Sequence, residues 1–239
     1  MPNVRSRSQA GDPHSKIAFL FLCLLMAVAA PAQAQLSINT IPFWDGSTFI
    51  SPFGVTDTAT YGQTITVPAG GTVLNSFAFE VGNCSANVNF RGEVYAWNGT
   101  LATGSSLYES SPVTVNASSS YQVITFNTGG INLSAGTYVL FGSTSKDQTG
   151  APSSSCRWGA LPDTSRYPSG QFVYLNNNTN VGQWTSLSWN QTIVRDLAFS
   201  VNTSSSSAVP AASTTVLLII ALALTLLAIY SLMRTRRHT

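Results

Sequence analysis

TVLNSFAFEVGNCSANVNFRGEVYAWNG, Thr72 to Gly99, sets the architecture expected for this chain. Its first arm alternates so that Val73, Phe77, Phe79 and Val81 share one face, and its second arm turns Val88, Phe90, Val94 and Ala96 inward. A period of two belongs to a strand buried on one side. The opposite face of the second arm carries Asn89, Arg91, Glu93, Tyr95 and Trp97, which reads as a solvated surface with Arg91 and Glu93 spaced to pair. Asn98-Gly99 then supplies the positive φ that a tight hairpin turn requires.

The pattern spreads outward from this pair. YGQTITV (Tyr61–Val67), SLYESSPVTV (Ser106–Val115), YQVITFN (Tyr121–Asn127), GTYVLFGS (Gly136–Ser143), FVYL (Phe172–Leu175), WTSLSW (Trp184–Trp189) and RDLAFSV (Arg195–Val201) all read as strands. Gly, Asn and Pro turns separate them, and no amphipathic helix intervenes. The expectation is an all-β fold, an antiparallel β-sandwich of jelly-roll-like form, with an up-and-down barrel as the alternative. The stretch between the two apolar ends, about 170 residues, is long enough for one domain with a real core.

Those ends address the chain. Arg5, Arg7 and Lys16 precede the apolar run IAFLFLCLLMAVAA (Ile17–Ala30), and Ala32-Gln33-Ala34 offers the small residues that a signal peptidase accepts. Cleavage is expected after Ala34, leaving Gln35 first. At the other end, Val216–Met233 is uncharged and rich in Leu, Ile and Val, long enough as a helix to cross a hydrocarbon core. Arg234, Arg236 and Arg237 follow it directly and would stay on the cytoplasmic side. The expected order is a signal peptide over 1–34, an exported β-sandwich over 35–203, a Ser-rich stalk with the sorting motif over 204–215, a transmembrane helix over 216–233 and a basic tail over 234–239.

Val209-Pro210, the apolar helix and the Arg-rich end together resemble bacterial sorting tails of the PEP-CTERM and IPTL-CTERM type, although Ala211 follows Pro210 where those tails carry Glu-Pro or Thr-Leu. The resemblance implies two fates, a permanent single-span anchor or hand-over to the surface by a membrane-embedded sorting protease. The phrases ATYGQTITVPAGGTVLNSFAFEV, FRGEVYAWNGTLATG and ITFNTGGINLSAGTYVLF are similar to exported bacterial β-sandwich domains that travel with such tails. That likeness implies fold and location rather than a reaction.

Composition narrows the chemistry further. Between residues 35 and 203 stand five cations, Arg91, Lys146, Arg157, Arg166 and Arg195, and eight acids. The resulting charge of about −3, without a basic patch, speaks against nucleic-acid binding. His14 and His238 both lie in the expected leader and tail, so the exterior has no histidine for a Ser-His-Asp triad, a Cys-His nucleophile or a usual zinc site. Lys146 stands beside Asp147, which favours its charged form and disqualifies it as a base. Glu80 and Glu93 are the best carboxylate pair for glycoside hydrolysis, yet both read as exposed sheet residues. No enzyme and no cofactor is expected; a structural Ca²⁺ receives no ligands, because no D-x-D-x-D spacing occurs.

Cys84 and Cys156 are the two exterior cysteines, and an oxidising compartment would join them. The bridge is expected to pin the long irregular stretch Ser143 to Gly170 to the tip of a hairpin. Trp158 and Tyr167 in that stretch are the candidate ligand-contacting aromatics, with polysaccharide as the candidate ligand. The function expected is therefore a non-enzymatic surface or matrix protein, with a carbohydrate-binding module as the alternative.

Overall fold

Strands follow the alternation closely where alternating residues have two packed sheets to face. The computed structural model describes residues 36–55, 58–148, 155–192 and 195–205, together with 219, 222, 223, 225 and 226. Within these residues the strands are β1 (Ser37–Asn39), β2 (Phe49–Phe53), β3 (Thr60–Val67), β4 (Thr72–Cys84), β5 (Val88–Trp97), β6 (Ala102–Glu109) and β7 (Val113–Val115). They continue with β8 (Ser118–Leu133), β9 (Gly136–Ser143), β10 (Cys156–Gly159), β11 (Phe172–Leu175), β12 (Asn190–Thr192) and β13 (Phe199–Ser204). The ladders between these strands are antiparallel, and they form two separate sheets rather than one closed barrel.

In the first sheet β4 pairs with β8 on one edge and with β13 and then β10 along the other; β1 extends β13 and β2 extends β10. The second sheet runs β12-β11-β3-β9-β5-β6, with β7 also on β5. The core fills the space between them. Phe77, Phe79 and Val81 of β4 and Phe126 of β8 meet Ile65 of β3, Phe90 and Val94 of β5 and Leu140 of β9. Gly92 belongs to this packing because a Cβ there would stand 2.4 Å from the Phe126 ring.

Three departures from the expected pattern have local causes. The ladder of β4 shifts between Leu74 and Ser76, so Leu74 is buried and Val73, expected on the Phe77 face, is only half-buried. The expected strand Trp184–Trp189 is instead a 3-10 turn at Val181–Thr185 followed by an irregular segment. Its tryptophans lie on the outer face of the second sheet, against Tyr95, Trp97, Phe141 and Leu175. Trp184 donates its indole N–H to Thr60 Oγ1 (3.2 Å), and Trp189 donates to the Trp184 carbonyl (2.9 Å). The face expected to be solvated around Tyr95 and Trp97 is thus covered. Last, the stretch expected to be irregular, Ser143 to Gly170, contains β10, which pairs with both β4 and β2.

The expected disulfide is present: Cys84 at the end of β4 is bonded to Cys156 at the start of β10. No helix among the described residues is long and apolar enough to cross a membrane. The expected leader, the Ala34/Gln35 cleavage point, Val209-Pro210, most of Val216–Met233 and Arg234, Arg236 and Arg237 lie outside the described residues.

Candidate functional site

The two aromatics singled out from the sequence are both buried. Trp158 is 0% exposed, and its ring packs 4.8 Å from both Phe53 and Phe79. It is core because β10 is laid between β4 and β2 with Trp158 turned inward. Tyr167 is 8% exposed; its ring meets Phe199 edge-on, and its hydroxyl accepts the backbone N–H of Thr66 at 2.9 Å. Both are structural side chains, and the expectation that they contact a ligand is corrected accordingly.

The carboxylate pair fails for a different reason. Glu80 alternates with Phe79 and Val81 and so points out of the first sheet, whereas Glu93 alternates with Gly92 and Val94 and points out of the second. Both packed layers separate them, well beyond the about 5 to 10 Å over which two acids can share one glycosidic bond. Neither is exposed as the alternation implied. Burial raises the Glu80 carboxyl, and burial also raises that of Glu93 against the opposing effect of Lys146.

Glu93, fully enclosed, is held by Lys146 Nζ at 3.1 Å and by the Ser106 hydroxyl at 2.9 Å. Lys146 reaches Glu109 at 2.5 Å and lies 5.2 Å above the Trp184 ring, while Arg91 bridges Glu109 and Asp147, each at 2.8 Å. Arg91 and Glu93, expected to pair with each other, thus each take a different partner. Burial pulls the Lys146 ammonium down, but hydrogen bonds and charge from Glu109 and Glu93 outweigh it and hold the group above its ordinary value. A lysine so held is a fastener rather than a base.

The concave site lies elsewhere, where the edge strand β2 leaves part of β11 uncovered. A groove of ≈ 520 Å³ opens there, floored by Phe49, Ile50, Tyr61, Phe172 and Tyr174 and rimmed by Ser51, Thr58, Asn176 and Arg195. Phe172 and Tyr174 fall on the same face of β11, and their rings stack at 5.7 Å with only 17° between planes. Tyr61 stands edge-on to Phe172 at 5.2 Å, and its hydroxyl donates to the Pro52 carbonyl at 2.9 Å. Phe172 and Tyr61 are buried foundation; Phe49 and Tyr174 are half-buried and present ring surface. A second hollow of ≈ 500 Å³ beside Trp97 is walled mainly by Thr64, Thr66, Asn98, Thr137 and Gln171, and its one aromatic is itself buried.

Below the groove's Arg195, Asp196 is fully enclosed. Its Oδ1 accepts the Gln63 amide N–H at 2.7 Å, and its Oδ2 has no partner among the described residues. Burial pushes this carboxyl up from 3.8 to about 6, against the lowering effect of Gln63. The folded chain therefore holds a proton that the unfolded chain releases. The stability this confers is complete below pH 3.8 and is lost as pH rises through about 6. At about 1.4 kcal/mol per unit, the loss approaches roughly 3 kcal/mol by pH 7. Asp196→Asn is expected to remove this part of the pH dependence and to raise stability at neutral pH, read as urea midpoints from pH 4 to 8. A variant whose midpoint tracks the wild type across that range would refute it.

No protein-family model and no curated protein matches the chain. Among solved structures, it is similar to the cysteine protease and lectin-like domains of Cwp84, a surface layer associated protein of Clostridium difficile. That match has a TM-score of 0.41 and 14% identity over 63% of this chain and 33% of the other. The clostridial cysteine protease Cwp84 after propeptide cleavage gives a TM-score of 0.41 and 12% identity, over 67% of this chain and 38% of that one. The chain thus spans well under half of either protein, and at such similarity its function has to come from its own residues.

Proposed function

We propose that this chain is an exported, non-enzymatic module of the bacterial cell surface or its matrix, and that it binds polysaccharide in the groove between β2 and β11. The observation that carries this reading is the pair of half-buried rings, Phe49 and Tyr174, set beside the hydroxyls of Ser51 and Thr58, the Asn176 amide and the Arg195 guanidinium. Sugar rings offer flat C–H faces to aromatic surface and hydroxyls to planar polar groups, so both halves of the groove have matching chemistry. The pairings of β4 with β8 and β13, and of β3 with β9 and β11, support a jelly-roll-like form of the sandwich. A cross-linked Cys84–Cys156 pair suits an oxidising exterior.

Tyr174→Ala is expected to weaken binding to the best ligand on a glycan array by about tenfold, the loss of one ring-stacking contact, without loss of folding. An array on which the wild type binds nothing would sink the saccharide reading and leave a purely structural surface role. The sorting-tail reading has its own measurement. Mass spectrometry of surface material should show either a mature chain ending near Pro210, the handed-over form, or one retaining Arg237, the permanent anchor. Full-length protein in the cytosol with its leader intact would defeat both.

A further inference from the structure

The charges of this domain are distributed unevenly, and among the described residues the groove holds the one cation that meets neither a carboxylate nor a ring. Arg91 and Lys146 are engaged by Glu93, Glu109 and Asp147. The Arg166 guanidinium sits 4.0 Å over Phe43, and that of Arg157 sits 4.0 Å over Phe49, the ring at the groove's edge. Arg195 lines the groove itself, is exposed, and makes no ion pair among the described residues. The acids are placed otherwise. Asp45 and Asp163 accept hydrogen bonds within their own turns, from Thr48 and Ser165; Glu80 and Asp196 are buried; Asp57 lies outside the described residues. No carboxylate lines the groove among the described residues. Among the described residues, the lining of this cleft is therefore locally cationic in a domain of about −3 overall.

Resting on the saccharide reading above, we infer that the groove selects acidic saccharides: a uronate ring lies against Tyr174 and Phe49, and Arg195 takes its carboxylate. The guanidinium fork matches a planar carboxylate with two parallel hydrogen bonds, a geometry that a lysine cannot reproduce. Asn176 and Ser51 then face the ring hydroxyls. A neutral sugar would fill the same floor but leave the fork to water.

The test uses the full chain in detergent and three probes of equal length: a galacturonate oligomer, its methyl ester, and a neutral maltose-series oligomer. Calorimetry should give the acid at least about tenfold tighter binding than its ester, as a charge-assisted pair supplies. That advantage should shrink at about 0.5 M salt. Arg195→Gln should cost the acid about tenfold and the ester clearly less, so that the acid's advantage over its ester disappears, and Arg195→Lys should recover only part of the loss. Equal affinity for acid and ester, or an acid affinity indifferent to Arg195→Gln, overturns the inference while the saccharide reading survives. Failure of all three probes together with a blank glycan array overturns both.

Discussion

Trp158→Ala is expected to lower the free energy of unfolding by about 3–5 kcal/mol, the range for emptying the site of a large buried aromatic. The indole is fully enclosed, within 4.8 Å of Phe53 and Phe79, 5.8 Å of Tyr61 and 5.9 Å of Phe90. It also lies over Gly142, where a Cβ would come 2.7 Å from the ring. Neighbours on five strands in two sheets cannot all collapse onto the void, so most of the cavity should persist. Trp158→Phe should cost clearly less. It keeps the ring contacts and removes an indole N–H that has no partner among the described residues, a buried donor that itself opposes folding. Urea unfolding followed by far-UV circular dichroism separates the variants. A Trp158→Ala chain within about 0.5 kcal/mol of wild type would show that β10 does not sit in the core.

Removing the Cys84–Cys156 bond comes next in size. The bridge spans a sequence separation of 72 residues, and a loop of that length is worth about 4 kcal/mol through restriction of the unfolded chain. The native side depends on it as well, because β10 pairs with β4 through only Arg157↔Gly82 and Trp158↔Val81. The Cys84→Ser/Cys156→Ser chain should therefore unfold at distinctly lower denaturant than the oxidised wild type, and reduced wild type should match it. If oxidised and reduced wild type melt together, the loop-closure account is wrong. Cys156 and Trp158 share one short strand, so combining their substitutions should cost less than the separate losses added.

Much of this fold can be read from the alternation. Gly136–Ser143 and Phe172–Leu175 are strands to the residue, and Thr72–Val81 and Asn87–Trp97 lie within a residue or a few of the observed bounds. The cysteine pairing follows from there being two thiols in the exterior segment. What failed to show has physical reasons. WTSLSW alternates as a strand does, yet its tryptophans serve as a cover, clamped by Trp184 and Trp189 indole hydrogen bonds rather than by a ladder. Trp158 reads as a ligand contact because it falls in the stretch without strand pattern, Ser143 to Gly170, whereas its burial comes from strands β4 and β2, distant along the chain. The groove left no motif at all. Phe49, Tyr61, Tyr174 and Arg195 converge only through tertiary pairing, and each alone looks like an ordinary strand or loop residue.

The way the groove is assembled also sets when it can work. Its walls come from residue 49, in β2, and residue 195, just ahead of the last strand β13. A polypeptide still emerging from its N-terminus, or one clipped short of Arg195, lacks the guanidinium of the groove. On the proposed reading, recognition needs both segments in place, and a fragment lacking either should compete poorly with intact copies for the same polymer.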